Sequence, residues 1–475
     1  MNRRMDQQWK KLLVIGFWLL AFAQGYANEI SIRVKMEGLS YDTIWFGKTL
    51  GRKPFPQQFV LKKEDGTYEI KLKGPVNPGF YAIFFKTSSM GRLNYFHVAI
   101  DKDQGNFSVS CTLPQIFETL AFEGNKECEN YYQYRNVMAG HMVDYMKLLD
   151  YYRYQMDELN YKFITSKEEA AIIHQTQYLA KHPDGLTASL ARQTPVMAAP
   201  RSNDWKKDRT LRWQLFTQNY LTAWQGGDSL FWSSPLGIDW LDHYTLGLWD
   251  ELSGDPSLMA DEALAKLSGK KEFYLYYLNY LLQVYAKSSR FDLDRVYVHL
   301  VRKYVEKADK SLLGEEEWYR HTNQANNINR VMTGNFLPDL RFYDEKEVPR
   351  HVYDLDAEYT LLAFWNPDCP HCINELPALA KLYPSYQAKG LKIITICGKR
   401  DDKVSLCWQG REELGLPSAW YYWADPKSIS RFQVIYNIYT IPAIYILDKN
   451  HKIVCRIKGE MIENELALAL EKYVK

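Results

Sequence analysis

The spacing of apolar residues changes twice along this chain, and no single layer of structure satisfies all three patterns. From residue 29 to about 110, short pieces such as ISIRVKM, DTIWFGKTL, GTYEIKLKG, GFYAIFFKT, YFHVAI and NFSVS alternate apolar with polar and are punctuated by Gly, Pro, Asn and Asp. Alternation buries one face of a strand, so this part predicts a small antiparallel sheet or sandwich. From about 116 to 330, apolar and aromatic side chains recur at steps of three and four, as in ENYYQYRNVMAGHMVDYMKLLDYYRYQMDELNYKF and KKEFYLYYLNYLLQVYAKSS, the stripe of packed amphipathic helices. Beyond about 334 the two periods take turns. YTLLAFW and LKIITICG read as strands, and CPHCINELPALAKLYPSYQAKG, KVSLCWQGREELG and PKSISRFQVIY as helices. IPAIYILD and KIVCRIKG form a pair about a KNHK turn, and ENELALALEKYV closes on a helix. That order predicts a compact α/β domain.

The divisions are thus a β-sandwich-like domain over residues 28–112, a helical domain over 113–333 and an α/β domain over 334–475, preceded by a leader. A chain of 475 residues is too long for one typical core. The leader, residues 1–27, has Arg3, Arg4, Lys10 and Lys11, an apolar run from Leu12 to Ala23, then small residues up to Ala27. This is the layout of a secretory signal peptide, and it directs the chain to the periplasm or cell envelope. Those four cations against Asp6 account for +3 of a total charge of +2, so about −1 remains after cleavage and no basic excess argues for nucleic acid. No later apolar stretch approaches the roughly 20 residues that cross a bilayer. The 35 tyrosines fit either extensive packed surfaces or a glycan-facing groove.

The seven cysteines are Cys111, Cys128, Cys369, Cys372, Cys397, Cys407 and Cys455. An odd, thinly spread set is not a disulfide-stapled scaffold, yet export allows disulfides to persist. Cys397 and Cys455 read as buried strand residues and Cys407 as helix packing. Only Cys369 and Cys372 stand close together, in FWNPDCPHCINELP. A metal site needs about four ligands and this pair supplies two, so neither metal nor other cofactor is expected. His141, His174, His182, His243, His299 and His321 are scattered and read as surface or satisfied core residues.

If a helix begins at Cys369, its sulfur faces backbone N–H groups that lack intrahelical partners, a position that favours the thiolate. Cys369 then becomes the exposed, attacking sulfur. Cys372 lies one turn deeper, placed to attack a mixed disulfide. Pro370 suits the first helical turn, and His371 adds positive charge beside the pair. Glu375, three residues on, is either a partly buried proton carrier for Cys372 or an ordinary solvated helix residue. Pro377 is expected to kink the helix.

The stretches LLAFWNPDCPHCINELP and YNIYTIPAIYILDKNHKIV, with the closing helix, make residues 334–475 resemble the thioredoxin-like fold, and most of all the thiol-disulfide oxidoreductases of the TlpA/ResA type. The resemblance implies a nucleophile at Cys369, a resolving thiol at Cys372, a buried acid at Glu375 and an aromatic at Trp365 beside the loop. It also implies a cis-proline loop at Ile441-Pro442, with Ile441 meeting substrate main chain and Pro442 packing on the disulfide. Ala363 stands where typical thioredoxins keep a buried aspartate, and Ala443 where the family often has threonine. More loosely, the rest resembles multidomain thioredoxin-like proteins exported by Bacteroidetes.

The leading expectation is a thiol-disulfide oxidoreductase working on protein cysteines, reset by a membrane or periplasmic redox partner, with the Cys369–Cys372 disulfide as its only redox group. The alternative is a cell-envelope binding or scaffold protein that meets an envelope protein or glycan through residues 28–330 and carries a minor or vestigial redox domain. Peroxidase activity would need a pocket that nothing around Cys369 specifies.

Overall fold

A computed structural model of the chain describes residues 29–88, 91–152, 157–198, 204–248, 254–288, 293–458 and 462–475. The expected signal peptide, residues 1–27, lies outside the described residues. The chain packs as two compact units, one up to residue 274 and one from residue 275. Among the described residues no helix is long and apolar enough to cross a membrane.

In the first unit the alternating pieces form β1 (Ile30–Glu37), β2 (Thr43–Leu50), β3 (Lys53–Leu61), β4 (Tyr68–Leu72), β5 (Gly79–Phe85), β6 (Asn94–Ile100), β7 (Phe107–Thr112) and β8 (Ala121–Glu123). They make two four-stranded sheets, ordered β4-β1-β7-β8 and β3-β2-β5-β6. One pair departs from the antiparallel expectation: β1 and β7 run parallel, joining segments far apart in sequence. The strand β3 escaped the sequence pattern because Pro54 and Pro56 interrupt it. Proline cannot donate to a ladder, and β3 accordingly sits at a sheet edge. Its partner bulges at Phe46/Gly47, where any Cβ on Gly47 would overlap the Phe55 carbonyl.

The helical part begins with α1 (Lys126–Tyr152) and α2 (Glu158–Lys181). Asp157 caps α2 by accepting from the Asn160 N–H. The aromatic excess is largely core: Tyr220 stacks between Trp240 at 4.5 Å and Tyr244 at 5.0 Å, and Trp224, Phe231 and Trp232 are buried beside one another. On β6, His97 is buried within 3.1 Å of Thr49 Oγ1.

The second unit contains α3 (Asp294–Leu300) and α4 (Glu315–Arg330), then β9 (Arg341–Tyr343), β10 (Pro349–His351), β11 (Tyr359–Trp365), α5 (Pro370–Gln387), β12 (Leu391–Cys397), α6 (Ser405–Glu413), β13 (Tyr421–Ala424), β14 (Ala443–Asp448), β15 (Ile453–Lys458) and α7 (Ile462–Tyr473). The sheet order is β10-β9-β13-β12-β11-β14-β15, with β11 parallel to β12 and antiparallel to β14. Alternation along β11 sorts its side chains. Leu361, Ala363 and Trp365 join the core under α5 and α7, while Leu362 and Phe364 join the opposite core with Leu337, Phe342 and Tyr436. Each such large side chain contributes about 1.5–3 kcal/mol by leaving water.

Two sequence expectations change here. The aromatic piece YYWA, unassigned from sequence, is the strand β13. The helix expected over PKSISRFQVIY shrinks to Phe432–Ile435. Ser428 and Arg431 adopt left-handed backbone, and the Asp425 carboxylate accepts from the Ile429 and Ser430 N–H groups, which holds the preceding residues in a turn.

An ion pair buried on both sides ties α3 to the sheet: Arg456 on β15 donates to Asp294 at 2.8 Å, with side chains 2% and 4% exposed. Removing one partner strands a charge, so Asp294→Ala should destabilise this unit by about 3–5 kcal/mol. Hydrogen exchange of the β14–β15 amides in the full chain should rise accordingly. The apolar double variant Asp294→Leu/Arg456→Met should recover most of the loss, and a double variant as labile as the single one would contradict this.

Burial, assisted by Arg135, pulls the His97 imidazole down to about 3. Its contribution is therefore fully present above the unfolded value of about 6.5 and is lost as pH falls from there towards 3. His97→Gln should flatten part of the fall in melting temperature between pH 7 and pH 4; identical slopes in both proteins would show that His97 takes no part.

Candidate active site

The end of β11 and the start of α5 place the two close cysteines. Trp365 is the last strand residue, residues 366–368 turn the chain, and Cys369 is the N-cap of α5. Its Sγ accepts the Cys372 N–H at 3.3 Å, satisfying one of the helix's free donors with sulfur. The Cys369 carbonyl accepts the Ile373 N–H at 3.1 Å, the first turn of the helix. Pro370 occupies the first helical position, where its missing N–H costs nothing. The helix then continues through both Pro377 and Pro384.

The two sulfurs differ in exposure. Cys369 is half-buried, whereas Cys372 is fully buried with Trp365, Leu376 and Leu379. Both are unbridged, the dithiol form of the pair. Burial first, then the hydrogen bond with Cys369, pushes the Cys372 thiol far above its usual range. The Ile441-Pro442 bond is cis, and the Cys369 thiol lies 3.8 Å from the Ile441 carbonyl, which it can use as an acceptor. Pro442 is buried and Ile441 half-buried against the same core.

The remaining expected residues fall around this pair. Trp365 is buried beneath the loop, Pro370 and His371 are exposed on the first turn, and Glu375 is half-buried with its Oε2 atom shielded from solvent. Ala363 is buried in β11, opposite Ile444. Among the described residues no group of three or more His, Cys, Asp or Glu could hold a metal ion.

The reading of Cys397 and Cys407 as separate packing residues is corrected: they form a disulfide, with Cα atoms 6.1 Å apart. Strand-to-helix geometry brings the end of β12 against the first turn of α6, ten residues on, and both sulfurs are buried. Their spacing, in a chain whose first residues read as an export leader, was the available clue. Cys455 is half-buried rather than buried, while Cys111 and Cys128 are buried thiols. Burial drives Cys111 up to about 11 and Cys128 higher still, which disfavours the thiolate of both.

Sequence reasoning also missed what supports the loop from below. The Gly398 N–H donates to the Trp365 carbonyl and to Asn366 Oδ1, both at 3.0 Å. Lys399 Nζ donates to Asp368 Oδ2 at 2.6 Å and holds that carboxyl below its ordinary range.

A C-x-x-C pair at a helix start, flanked by a cis-proline loop on a central β-sheet, defines a thioredoxin-like redox domain, and residues 341–473 are one. Residues 333–456 match the family model described as the AhpC/TSA family. The thiol-disulfide oxidoreductase ResA of Bacillus thuringiensis (strain Al Hakam) is 27% identical over 146 residues, 30% of this chain and 79% of that protein. The ResA of Geobacillus kaustophilus is 27% identical over 154 residues, 32% of this chain and 83% of its own. Among solved structures, the thioredoxin domain of a thiol-disulfide oxidoreductase from Bacteroides vulgatus is 26% identical, covering 30% of this chain and 98% of that one at a TM-score of 0.26.

The asymmetry of the pair makes a prediction. In the reduced, folded protein iodoacetamide should label Cys369 and leave Cys372 unlabelled, because the second thiol is both buried and held protonated. Peptide mass spectrometry reads this directly, and equal labelling of the two at pH 8 would contradict it.

Proposed function

We propose that this chain is an exported thiol-disulfide oxidoreductase of the TlpA/ResA type, acting on protein cysteines through Cys369-Pro370-His371-Cys372. The observation that carries the reading is the pairing of a half-exposed Cys369 sulfur, met by the Cys372 N–H at 3.3 Å, with a fully buried sulfur one turn behind it. Similarity to ResA proteins over 30% and 32% of this chain supports it, as does the AhpC/TSA family match over residues 333–456, which includes this pair. The leader-like residues 1–27 support export.

The step balances as follows. The Cys369 thiolate attacks one sulfur of a substrate disulfide, and the other substrate sulfur leaves as a thiolate. Cys372 gives up its proton and attacks Cys369 Sγ, which frees the second substrate thiol and leaves the Cys369–Cys372 disulfide. Two electrons have passed from the pair to the substrate. Run backwards, the same step oxidises a substrate dithiol, and the redox partner sets the direction. Glu375, half-buried three residues from Cys372 with a shielded carboxylate oxygen, takes and returns the proton. The Ile441 backbone lies along the substrate segment, and His371 stands at the exposed face of the pair.

Exchange on a model disulfide such as those joining the chains of intact insulin, followed with a regenerating reductant, tests the reading. Cys369→Ser should abolish turnover, and Cys372→Ser should trap a mixed disulfide on Cys369. Equal rates for wild type and Cys369→Ser would overturn the proposal. Glu375→Gln should slow release of the mixed disulfide more than its formation.

A further inference from the structure

We infer that the segment closed by the Cys397–Cys407 bridge is the positioning element of the redox loop, fixing residues 365–368 and balancing charge beside Cys369 through Lys399. The inference rests on the exchange reading of Cys369 and Cys372 above and adds to it the part that sets how that pair behaves.

Each residue of the loop meets this segment or the helix α6 into which it leads. Trp365 is the register partner of Cys397 and receives the Gly398 N–H on its carbonyl. Asn366 receives the same N–H on Oδ1. Pro367 packs on α6 at Gly410, where a Cβ would stand 2.8 Å from Pro367 Cβ and 3.3 Å from the Trp365 ring, so only glycine lets the helix approach this closely. Asp368 is held by Lys399, whose side chain is only 16% exposed. Residues 398–404 contain a turn with Asp401 in left-handed backbone, and the bridge joins the strand end on one side of that turn to the helix on the other. Closing the turn covalently limits how far Lys399 and Gly410 can move relative to β11.

The bridge is not itself an exchange partner. Cys397 and Cys407 are each 1% exposed, while Cys369 is half-exposed, so an incoming sulfur reaches Cys369 first. The bridge therefore keeps its form while the active pair cycles.

The electrostatic part has a definite sign. Asp368 directly precedes Cys369, and an unbalanced carboxylate there opposes a second negative charge on the sulfur. The Lys399 ammonium at 2.6 Å offsets it, and Lys403 from the same segment acts on Asp368 as well. On the first turns of α5 the other titratable groups are the exposed His371, the buried Cys372 thiol and the half-buried Glu375, and the Ile441 carbonyl that meets the sulfur is uncharged. Only the bridged segment, among these, brings fixed cations from outside the active-site helix.

The test measures the pH midpoint of Cys369 alkylation by iodoacetamide in the full chain, together with the equilibrium of the Cys369–Cys372 pair against glutathione. Lys399→Met should raise the midpoint by about half a pH unit and change the glutathione equilibrium about threefold. Asp368→Asn should move it the other way, and the double variant should return near the wild-type value. In Cys397→Ala/Cys407→Ala, Lys399→Met should shift the midpoint by less than half as much as it does with the bridge intact. Unchanged midpoints in the Lys399 and bridge variants, with only melting temperature lowered, would mean that the segment is merely structural and would overturn the inference. If the bridge variant does not fold, the cycle of Lys399 and Asp368 decides the matter alone, and a double variant displaced from the wild-type midpoint as far as either single variant would overturn the charge balance. Absence of disulfide turnover in the wild type would sink the exchange reading instead, since alkylation midpoints do not depend on turnover.

Discussion

One backbone N–H, that of Cys372, aimed at the Cys369 sulfur from 3.3 Å, is the contact on which the proposed chemistry of this chain depends. A helix must begin somewhere, and its first donors must meet an acceptor or water. Here the acceptor is a sulfur, so the atom that caps α5 is also the one proposed to attack a substrate disulfide. Moving the helix start by one residue would turn that sulfur away from the donor and leave an ordinary cysteine on a helix surface.

The same geometry separates the roles of the two thiols. Cys372 follows the helix inward and enters the core that Leu361, Ala363 and Trp365 build on one face of β11. Loss of water there favours its neutral form, so the pair holds one accessible sulfur and one held in reserve. The sheet makes this possible by alternation: residues of β11 serve two cores, and the strand is rigid enough to present its C-terminal turn in a fixed place. The Asp294–Arg456 pair extends that rigidity to β15, at the sheet edge on the far side of β14.

Much of the frame was legible from periodicity. The strands β11, β12, β14 and β15 and the helix α5 fall where apolar spacing put them, as do most strands of the first unit. The misses have physical causes. Pro54 and Pro56 broke the strand signal of β3, which survives because an edge strand needs only one bonded side. The strand β13 is four residues of mixed aromatics, too short to show a period. Left-handed residues at 428 and 431 cut short a helix whose composition promised more. Around the cysteine pair, the cis Ile441-Pro442 bond is where the sequence put it, whereas Asn366, Lys399, Gly398 and Gly410 carried no sequence signal, since each makes its contact with a segment some thirty to forty-five residues away.

The order of residues alone determined which sulfur caps a helix, because Cys-Pro-His-Cys after an apolar strand carries its own stop, start and spacing within one turn. It also determined that Ala363 leaves no carboxylate in the strand beneath the pair. Only the tertiary structure decided that Cys397 and Cys407 bond, that Lys399 faces Asp368 and that the Cys372 thiol loses water. Helix starts are local events governed by neighbours in sequence; burial, charge pairing and disulfide partners depend on which distant segments the sheet brings within a few ångströms, and no local pattern records that.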